Sequence, residues 1–238
     1  MAGTQPYRSR QIIPFLSDLL TWLSMVSTSA YFSVLSTYLM LTAASPSVTL
    51  AQTKQPETSE NAVRNAPGFT LDRTGTIHDF DYFAGGWTTR QRRLRVRGAG
   101  SNDWEEFPGI LCMALYLDGE ATVDELYFPT KRSAGLTLRT FDKNKKQWSI
   151  YWVNSETGKL DPVPVVGGFN GSHGEFYAED HDQQRAIAVR YVWNLLDRDH
   201  AVWEQAFSYD GRSWETNWKA DFTRADASKV CEGNRPKR

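Results

Sequence analysis

The sequence contains few cysteines, no excess of charge of either sign and none of the common catalytic signatures. Two cysteines in 238 residues exclude a disulfide-rich scaffold and a zinc site with three or four cysteine ligands. The balance of 27 basic and 28 acidic side chains argues against nucleic acid as a partner. A Gly-x-Ser-x-Gly elbow and a glycine-rich loop followed by Lys-Ser or Lys-Thr are both missing. The usual hydrolases and nucleotide-binding proteins are therefore not indicated.

Charge is absent from one long stretch near the start of the chain, residues 19–53. A basic start, an apolar middle and small residues before a polar chain are typical of a secretory signal. We therefore predict an exported protein, periplasmic or secreted, whose residues 1–51 form a signal peptide cleaved after Ala51, with Met25 as an alternative start. The first alternative is an uncleaved membrane anchor at 19–44, because a spanning helix needs about 20 apolar residues. This alternative leaves the rest of the chain outside the cytoplasm, and a buried helix is the third possibility.

The remaining chain divides by composition into three parts. Residues 52–75 are polar and show no sustained apolar period, which predicts a linker with local order near Phe69 and Leu71. Residues 76–224 are rich in aromatic and β-branched side chains and form the predicted domain. Residues 225–238 form a charged C-terminal tail.

The predicted domain has no helical period and consists of short β-forming segments separated by turn residues. Pairs of Asn-Gly or Asp-Gly begin at Asp118, Asn170 and Asp210. These residues tolerate the positive φ that type I′ hairpins require. Consecutive hairpins form a meander, and a long meander removes its edges by closing. We predict an all-β, antiparallel up-and-down barrel of about ten strands, with a two-sheet sandwich as the alternative.

Aromatic side chains recur at every second position of several strands, which places each set on one face of the sheet. The sets are Trp148, Ile150 and Trp152; Val189, Tyr191 and Trp193; Trp203, Gln205 and Phe207; and Trp214, Thr216, Trp218, Ala220 and Phe222. We expect an interior lined with Trp, Tyr and Leu, including Leu136 and Leu138, that is either a packed core or a ligand cavity. Aromatic area with a few polar groups is typical of a small-molecule site. The candidate ligand-binding residues are Trp152, Tyr191, Trp193, Trp203, Gln205 and Trp218, with Gln205 and Tyr191 orienting the ligand.

The start of the first strand, Gly85-Gly86-Trp87, resembles the Gly-x-Trp corner of lipocalin-like (calycin) barrels. The resemblance covers Ile77–Arg224 in strand number and order, and this corner alone in motif. It implies that Gly85 and Trp87 form a structural plug at one barrel end and that Arg224 packs across Trp87. More closely, the chain resembles uncharacterised exported bacterial domains with calycin-like barrels. Such barrels imply small apolar ligands, and the resemblance identifies neither a ligand nor a cofactor.

Basic residues are concentrated in one segment, with Arg90, Arg92, Arg93, Arg95 and Arg97 within eight positions. An anionic ligand or a phosphate surface is one interpretation. The other is pairing across a hairpin, because a turn near Gly100 brings Arg95 and Arg97 opposite the acids of 103–106. We expect the arginines to pair with acids across the hairpin.

Acid–base and metal-ligating residues form no strong constellation. The weak catalytic candidates are His78, Asp81 and Glu204, whereas Asp79 is expected to cap the segment that closes the barrel. One polar cluster is interpreted as a solvated loop, and no metal site is predicted. That cluster comprises His173, Glu175, Glu179, Asp180, His181 and Asp182. Cys112 is interpreted as a core residue and Cys231 as part of the tail, so we expect no bond between them although an oxidising compartment permits one.

The leading functional prediction is an exported barrel protein that binds a small, largely apolar or aromatic molecule in an aromatic-lined cavity. The first alternative is an envelope interaction or scaffold protein with a side-chain-filled barrel, which predicts no cavity as large as about 300 Å³. The second is an isomerase, dehydratase or hydrolase of small molecules that uses the same cavity. No cofactor is predicted, membrane contact is expected only through residues 19–44, and the sequence does not indicate an oligomeric state.

Overall fold

The computed structural model describes residues 62–238. The predicted signal peptide or anchor, with its cleavage point and alternative start, lies outside the described residues. Among residues 62–238, no helix combines the length and the apolar character that crossing a membrane requires.

Ten antiparallel strands close into one barrel. They are β1 Gly85–Leu94, β2 Trp104–Tyr116, β3 Ala121–Phe128, β4 Ser133–Asp142, β5 Gln147–Asn154, β6 Val165–Asn170, β7 His173–Asp182, β8 Arg185–Leu195, β9 His200–Ser208 and β10 Glu215–Ala225. Each strand pairs with the next one in sequence, and β1 pairs with β10. The prediction of an all-β up-and-down barrel of about ten strands is therefore confirmed, and the architecture is consistent with a calycin-like fold.

Glycine forms the turn of the hairpin between β6 and β7. The last pair between β6 and β7 joins Asn170 to His173, so the loop residues are Gly171 and Ser172 rather than the predicted Asn-Gly pair. Gly171 has a φ of 62°, which fits a type II′ turn with glycine at its first central position. The two turn residues therefore lie one position further along the chain than predicted.

Aromatic side chains from the segment before β1 close one end of the barrel. A 3₁₀ helix, Asp81–Phe83, enters this end. The Phe80 ring lies 5.0 Å from that of Trp148 and 5.7 Å from that of Phe176, and the Phe83 ring lies 4.6 Å from that of Trp193. These edge-on and tilted contacts fill the space between the strands at this end of the barrel.

Trp87 and Arg224 hold this plug together. Trp87 is fully buried and donates its Nε1–H to the Phe83 carbonyl oxygen at 2.9 Å. The Arg224 guanidinium lies 4.1 Å from the centre of the Trp87 ring and donates to the carbonyl oxygens of Tyr82 and Ala84. A guanidinium over an indole face stabilises by about 0.5–2 kcal/mol, depending on how far it is desolvated. This is the packing that the resemblance implies.

The described part of the predicted linker, residues 62–75, packs on the outside of the barrel. Val63 and Ala66 are buried against Ala188 and Trp214. The Trp214 indole donates to the Pro67 carbonyl oxygen at 2.9 Å. Trp214 was predicted to share the interior face with Trp218, and this is wrong. The register shifts between residues 216 and 218, and such a bulge turns the preceding residues to the other face.

The chain beyond β10 is tied to β2 by a disulfide. It forms the helix α1 Ala227–Val230 and a hairpin of β11 Cys231–Glu232 and β12 Arg235–Pro236. Cys231 bonds to Cys112 of β2 with a Cα–Cα distance of 6.0 Å, so the expectation that they stay apart is wrong. The helix reaches β2 by passing over Gly86, where an added Cβ would lie 2.8 Å from Val230 Cγ2. This close approach returns the tail to the barrel.

Candidate functional site

A cavity of about 340 Å³ occupies the barrel beyond the aromatic plug. It extends to the end where Arg97 and Val163 line it and are exposed to solvent. Ligand sites generally measure about 300–1,000 Å³, so this volume lies at the small end of that range. The filled-barrel alternative predicts no such space, and the cavity argues against it.

All six predicted ligand-binding residues line this cavity; they are Trp152, Tyr191, Trp193, Trp203, Gln205 and Trp218. The Trp203 ring lies 5.7 Å from that of Trp218 and 5.1 Å from that of Tyr191. The Trp152 ring stands nearly perpendicular to the Trp218 ring at 6.3 Å. Edge-to-face contacts therefore join four side chains from β5, β8, β9 and β10 into one continuous aromatic wall.

Strand β4 contributes polar groups to the cavity, contrary to the prediction. Thr137 and Arg139 line the cavity, whereas Leu136 faces outward with 40% of its surface exposed. Alternation shows which residues share a face, but it does not show which face lies inside. Hydrophobicity alone would place the leucine side chains inside, but Arg139 faces inward because it forms a buried ion pair.

That ion pair joins Arg139 to Asp124 of β3. Their side chains are only 5% and 1% exposed. Thr137 donates to the second oxygen of the Asp124 carboxylate at 3.0 Å, and the Arg139 guanidinium lies 4.8 Å from the centre of the Phe80 ring. Charge, hydrogen bonds and ring contact together offset the desolvation of both ions. The ion pair thus forms part of the cavity floor beside the aromatic plug.

Polar side chains in and behind the inner wall also form hydrogen bonds with one another. The Trp218 Nε1–H donates to Gln91 Oε1 at 2.8 Å, and the Gln205 amide donates to Asn217 Oδ1 at 2.7 Å. Asn217 is the bulge residue of β10 and is fully buried. The Trp193 Nε1 is buried without a partner among residues 62–238. Sequence alternation could not locate Gln91 or Asn217, because both lie where polar residues are normally assigned outward.

Two of the carboxylates that line the cavity at its open end form no salt bridge among residues 62–238. Asp161 belongs to the loop between β5 and β6 and donates its backbone N–H to the Trp152 carbonyl oxygen at 2.8 Å. Asp180 lies on β7. Burial raises the pKa of Asp161, and repulsion from Asp180 raises it further. Burial also raises the pKa of Tyr191 above its usual range, with Asp161 and Asp180 adding to the effect. The three groups therefore act on one another electrostatically.

The arginines of residues 90–97, on β1 and directly after it, are neutralised by neighbouring acids. Arg93 pairs with Glu105 at 2.8 Å, and Arg95 pairs with Asp103 at 3.4 Å. The expected pairing of Arg95 with residues 103–106 is confirmed. Arg97 instead pairs with Asp182 of β7 at 2.7 Å. None of these contacts leaves a free cation to attract an anionic ligand.

The three weak catalytic candidates lie away from the cavity. The His78 Nδ1 and an Asp81 carboxylate oxygen are 2.8 Å apart, and both residues are exposed at the plugged end. Glu204 pairs with Lys219 at 3.0 Å and is absent from the cavity lining. Asp79 accepts from the backbone N–H groups of Thr76 and Phe169, and so joins the closing segment to β6. The helix in that segment has Phe80 at its N-cap and no side-chain cap, so the expected helix cap by Asp79 is not found. A general acid or base must come within hydrogen-bond reach of its substrate, which these positions do not offer for a molecule in the cavity.

The polar cluster of β7 is divided between the two barrel ends. His173 contacts Asn194 Oδ1 at 2.7 Å near the plug, whereas Asp180, His181 and Asp182 line the open end. Among residues 62–238, no group of three His, Cys, Asp or Glu side chains is arranged to hold a metal ion.

No protein-family model matches the chain, and no curated protein matches it in sequence. The functional argument therefore depends on the cavity and on the residues that line it.

Proposed function

We propose that this protein is an exported, calycin-like barrel that binds a small, largely aromatic molecule in its interior. The continuous aromatic wall formed by Trp152, Tyr191, Trp203 and Trp218 is the observation that supports this proposal most directly. Aromatic walls supply large apolar area and preferred edge-on contacts for a ring.

The size of the cavity limits the ligand. An apolar protein cavity of roughly 150 Å³ accommodates benzene. A cavity of about 340 Å³ therefore suits a ligand of about two aromatic rings. Burial of such a body contributes roughly 25 cal/mol for each Å² of apolar surface removed from water. Binding is favoured over an isomerase, dehydratase or hydrolase activity because His78, Asp81 and Glu204 do not line the cavity.

The disulfide supports the proposed export. Disulfide bonds persist in oxidising compartments and are rare in reducing ones. The Cys112–Cys231 bond joins positions 119 residues apart and holds the tail to the barrel. Export through residues 1–51, either as a cleaved signal or as a retained anchor, would place the domain where this bond forms.

Native mass spectrometry of the protein, expressed at full length and recovered after export, tests binding of an endogenous ligand. We expect an extra mass that disappears on denaturation, and quenching of tryptophan fluorescence when 2-naphthalenemethanol is added to stripped protein. Ala178→Phe fills the cavity from β7 and should abolish both signals, whereas Leu136→Phe on the outer face should preserve them. Equal signals from both variants, or no probe binding by the wild type, would refute the proposal.

A further inference from the structure

The charges on the cavity wall do not cancel. Three arginines line the cavity, and each is paired: Arg93 with Glu105, Arg97 with Asp182 and Arg139 with Asp124. The other two lining carboxylates, Asp161 and Asp180, have no cationic partner among residues 62–238. Each accepts a hydrogen bond only from a backbone N–H nearby, that of Val163 for Asp161 and that of His181 for Asp180.

The Asp180 carboxylate disfavours the ionised form of Asp161. Asp180 is one of the two influences that raise the pKa of Asp161, and both acids disfavour ionisation of Tyr191. A positive charge placed near a carboxylate favours its ionised form and would remove this cost. A ligand that carries a positive charge would therefore be favoured at this end of the cavity.

Gln205 also presents a polar atom to the cavity. Gln205 is 7% exposed and lines the cavity. Its Nε2 donates to Asn217 Oδ1, and among the described residues no side chain donates to its Oε1. The Gln205 Oε1 therefore remains available to accept a hydrogen bond from a donor on a ligand inside the barrel.

The aromatic wall favours the same charge. Indole faces attract cations, and the attraction is largest when the cation is desolvated. The Arg93 guanidinium already lies 5.2 Å from the centre of the Trp218 ring, which shows that this face accepts a cation. Trp152 is joined by a backbone hydrogen bond to the loop that carries Asp161. Aromatic and acidic elements thus meet at one end of one cavity.

We propose that the ligand is an aromatic amine whose rings lie against Trp152, Trp203 and Trp218 and whose ammonium group is bound by Asp161 and Asp180. This inference rests on the proposed binding function and specifies the chemical class of the ligand. The ring system occupies the aromatic wall, and the ammonium N–H groups donate to the two carboxylates. Charge-assisted hydrogen bonds of this kind are roughly twice as strong as neutral ones.

Three probes with the same ring system test the charge preference. They are 2-naphthylmethylamine, 2-naphthalenemethanol and 2-naphthoate, which are cationic, neutral and anionic at pH 7. We expect the full-length exported protein, stripped of ligand, to bind the amine about 10-fold or more tightly than the alcohol, and the naphthoate most weakly. Titration calorimetry or tryptophan quenching gives the three dissociation constants.

Charge-neutral variants identify the acids responsible. Asp161→Asn and Asp180→Asn should each lower the ratio of amine to alcohol affinity about 3-fold or more, with alcohol binding unchanged. Asparagine keeps an oxygen for the Val163 N–H, and the ratio of affinities within one variant does not depend on the fraction that is folded. Glu204→Gln is the matched control because it removes an acid from the outer face of the same barrel.

The outcomes separate the two proposals. Binding of the alcohol and the amine with equal affinity by the wild type would overturn the amine assignment and leave the aromatic cavity intact. Tightest binding of the naphthoate would also overturn it. An unchanged ratio in both aspartate variants would show that other groups recognise the amine. Binding of none of the three probes would refute the proposed function itself.

Discussion

Removal of the Cys112–Cys231 disulfide should destabilise the whole barrel and not only the tail. The bond closes a loop of 119 residues that runs from β2 through the remaining strands to the C-terminal segment. In the chain-entropy model a loop of this length restricts the unfolded chain by about 5 kcal/mol, and removal of native disulfides typically costs about 2–5 kcal/mol. For a domain of this size we expect the double variant Cys112→Ala/Cys231→Ala to melt roughly 5–20 °C below the wild type.

Calorimetry at neutral pH, with and without reductant, measures this shift. Reduced wild type should approach the double variant, and a cross-linked peptide in an unreduced digest should verify the bond. Val230→Ala is the control because it weakens the packing of α1 over Gly86 while the disulfide stays intact. Its melting temperature should fall by less than that of the double variant.

A fall of less than about 2 °C on removal of the bond would refute this reasoning. It would mean that the chain after residue 225 opens independently, so that the bond restrains a segment already released before the barrel unfolds. Proteolysis near α1 in the double variant, with an intact barrel core, would identify that behaviour.

Three further predictions concern the cavity. Asp124→Asn should lower the free energy of unfolding by about 3–5 kcal/mol because it leaves the buried Arg139 charge uncompensated, and Asp124→Asn/Arg139→Met should recover much of it in denaturant titrations. Gly135→Ala places a Cβ in severe overlap with Trp152 Cη2, so it should displace that ring, shift the tryptophan emission and weaken 2-naphthalenemethanol binding. Folding raises the pKa of Asp161, so the native state binds the Asp161 proton more tightly than the unfolded chain does. The protonated carboxyl therefore contributes to the free energy of unfolding at low pH, and this contribution is lost as the pH rises through the raised pKa. Asp161→Asn should therefore show a smaller loss of unfolding free energy between pH 4 and pH 7 than wild type, and identical pH profiles would contradict the assignment.

The barrel could be predicted because its determinants are local. Period-two alternation on β5, β8 and β9 placed Trp152, Tyr191, Trp193 and Gln205 on one face, and turn residues marked the hairpins. Strand order follows from short connections, and closure follows from the cost of open edges. These features need no knowledge of distant contacts.

The features that could not be predicted from the sequence share a different cause. Trp214 lies outside because a bulge interrupts the alternation of β10, and a bulge has no unambiguous sequence signature. Arg139 faces inward because Asp124 on the neighbouring strand compensates its charge, and only the register between β3 and β4 makes them partners. The disulfide depends on the path of the tail across Gly86. Each miss is a contact between residues whose proximity is set by the closed fold.

The acids of the cavity illustrate how structure separates a structural role from a binding role. Asp124 is fully buried, yet its two oxygens are engaged by Arg139 and Thr137, so it needs nothing further. Asp161 and Asp180 line the same cavity without a cation among the described residues. Folding alone gives no benefit from two unpaired carboxylates in a partly desolvated space, and the raised pKa of Asp161 reflects that cost. Residues that lower stability without a local compensation are expected at functional sites, where a ligand supplies the missing interaction. The open end of the cavity is therefore the place where a ligand charge would be recognised, and the plugged end is where the fold is stabilised.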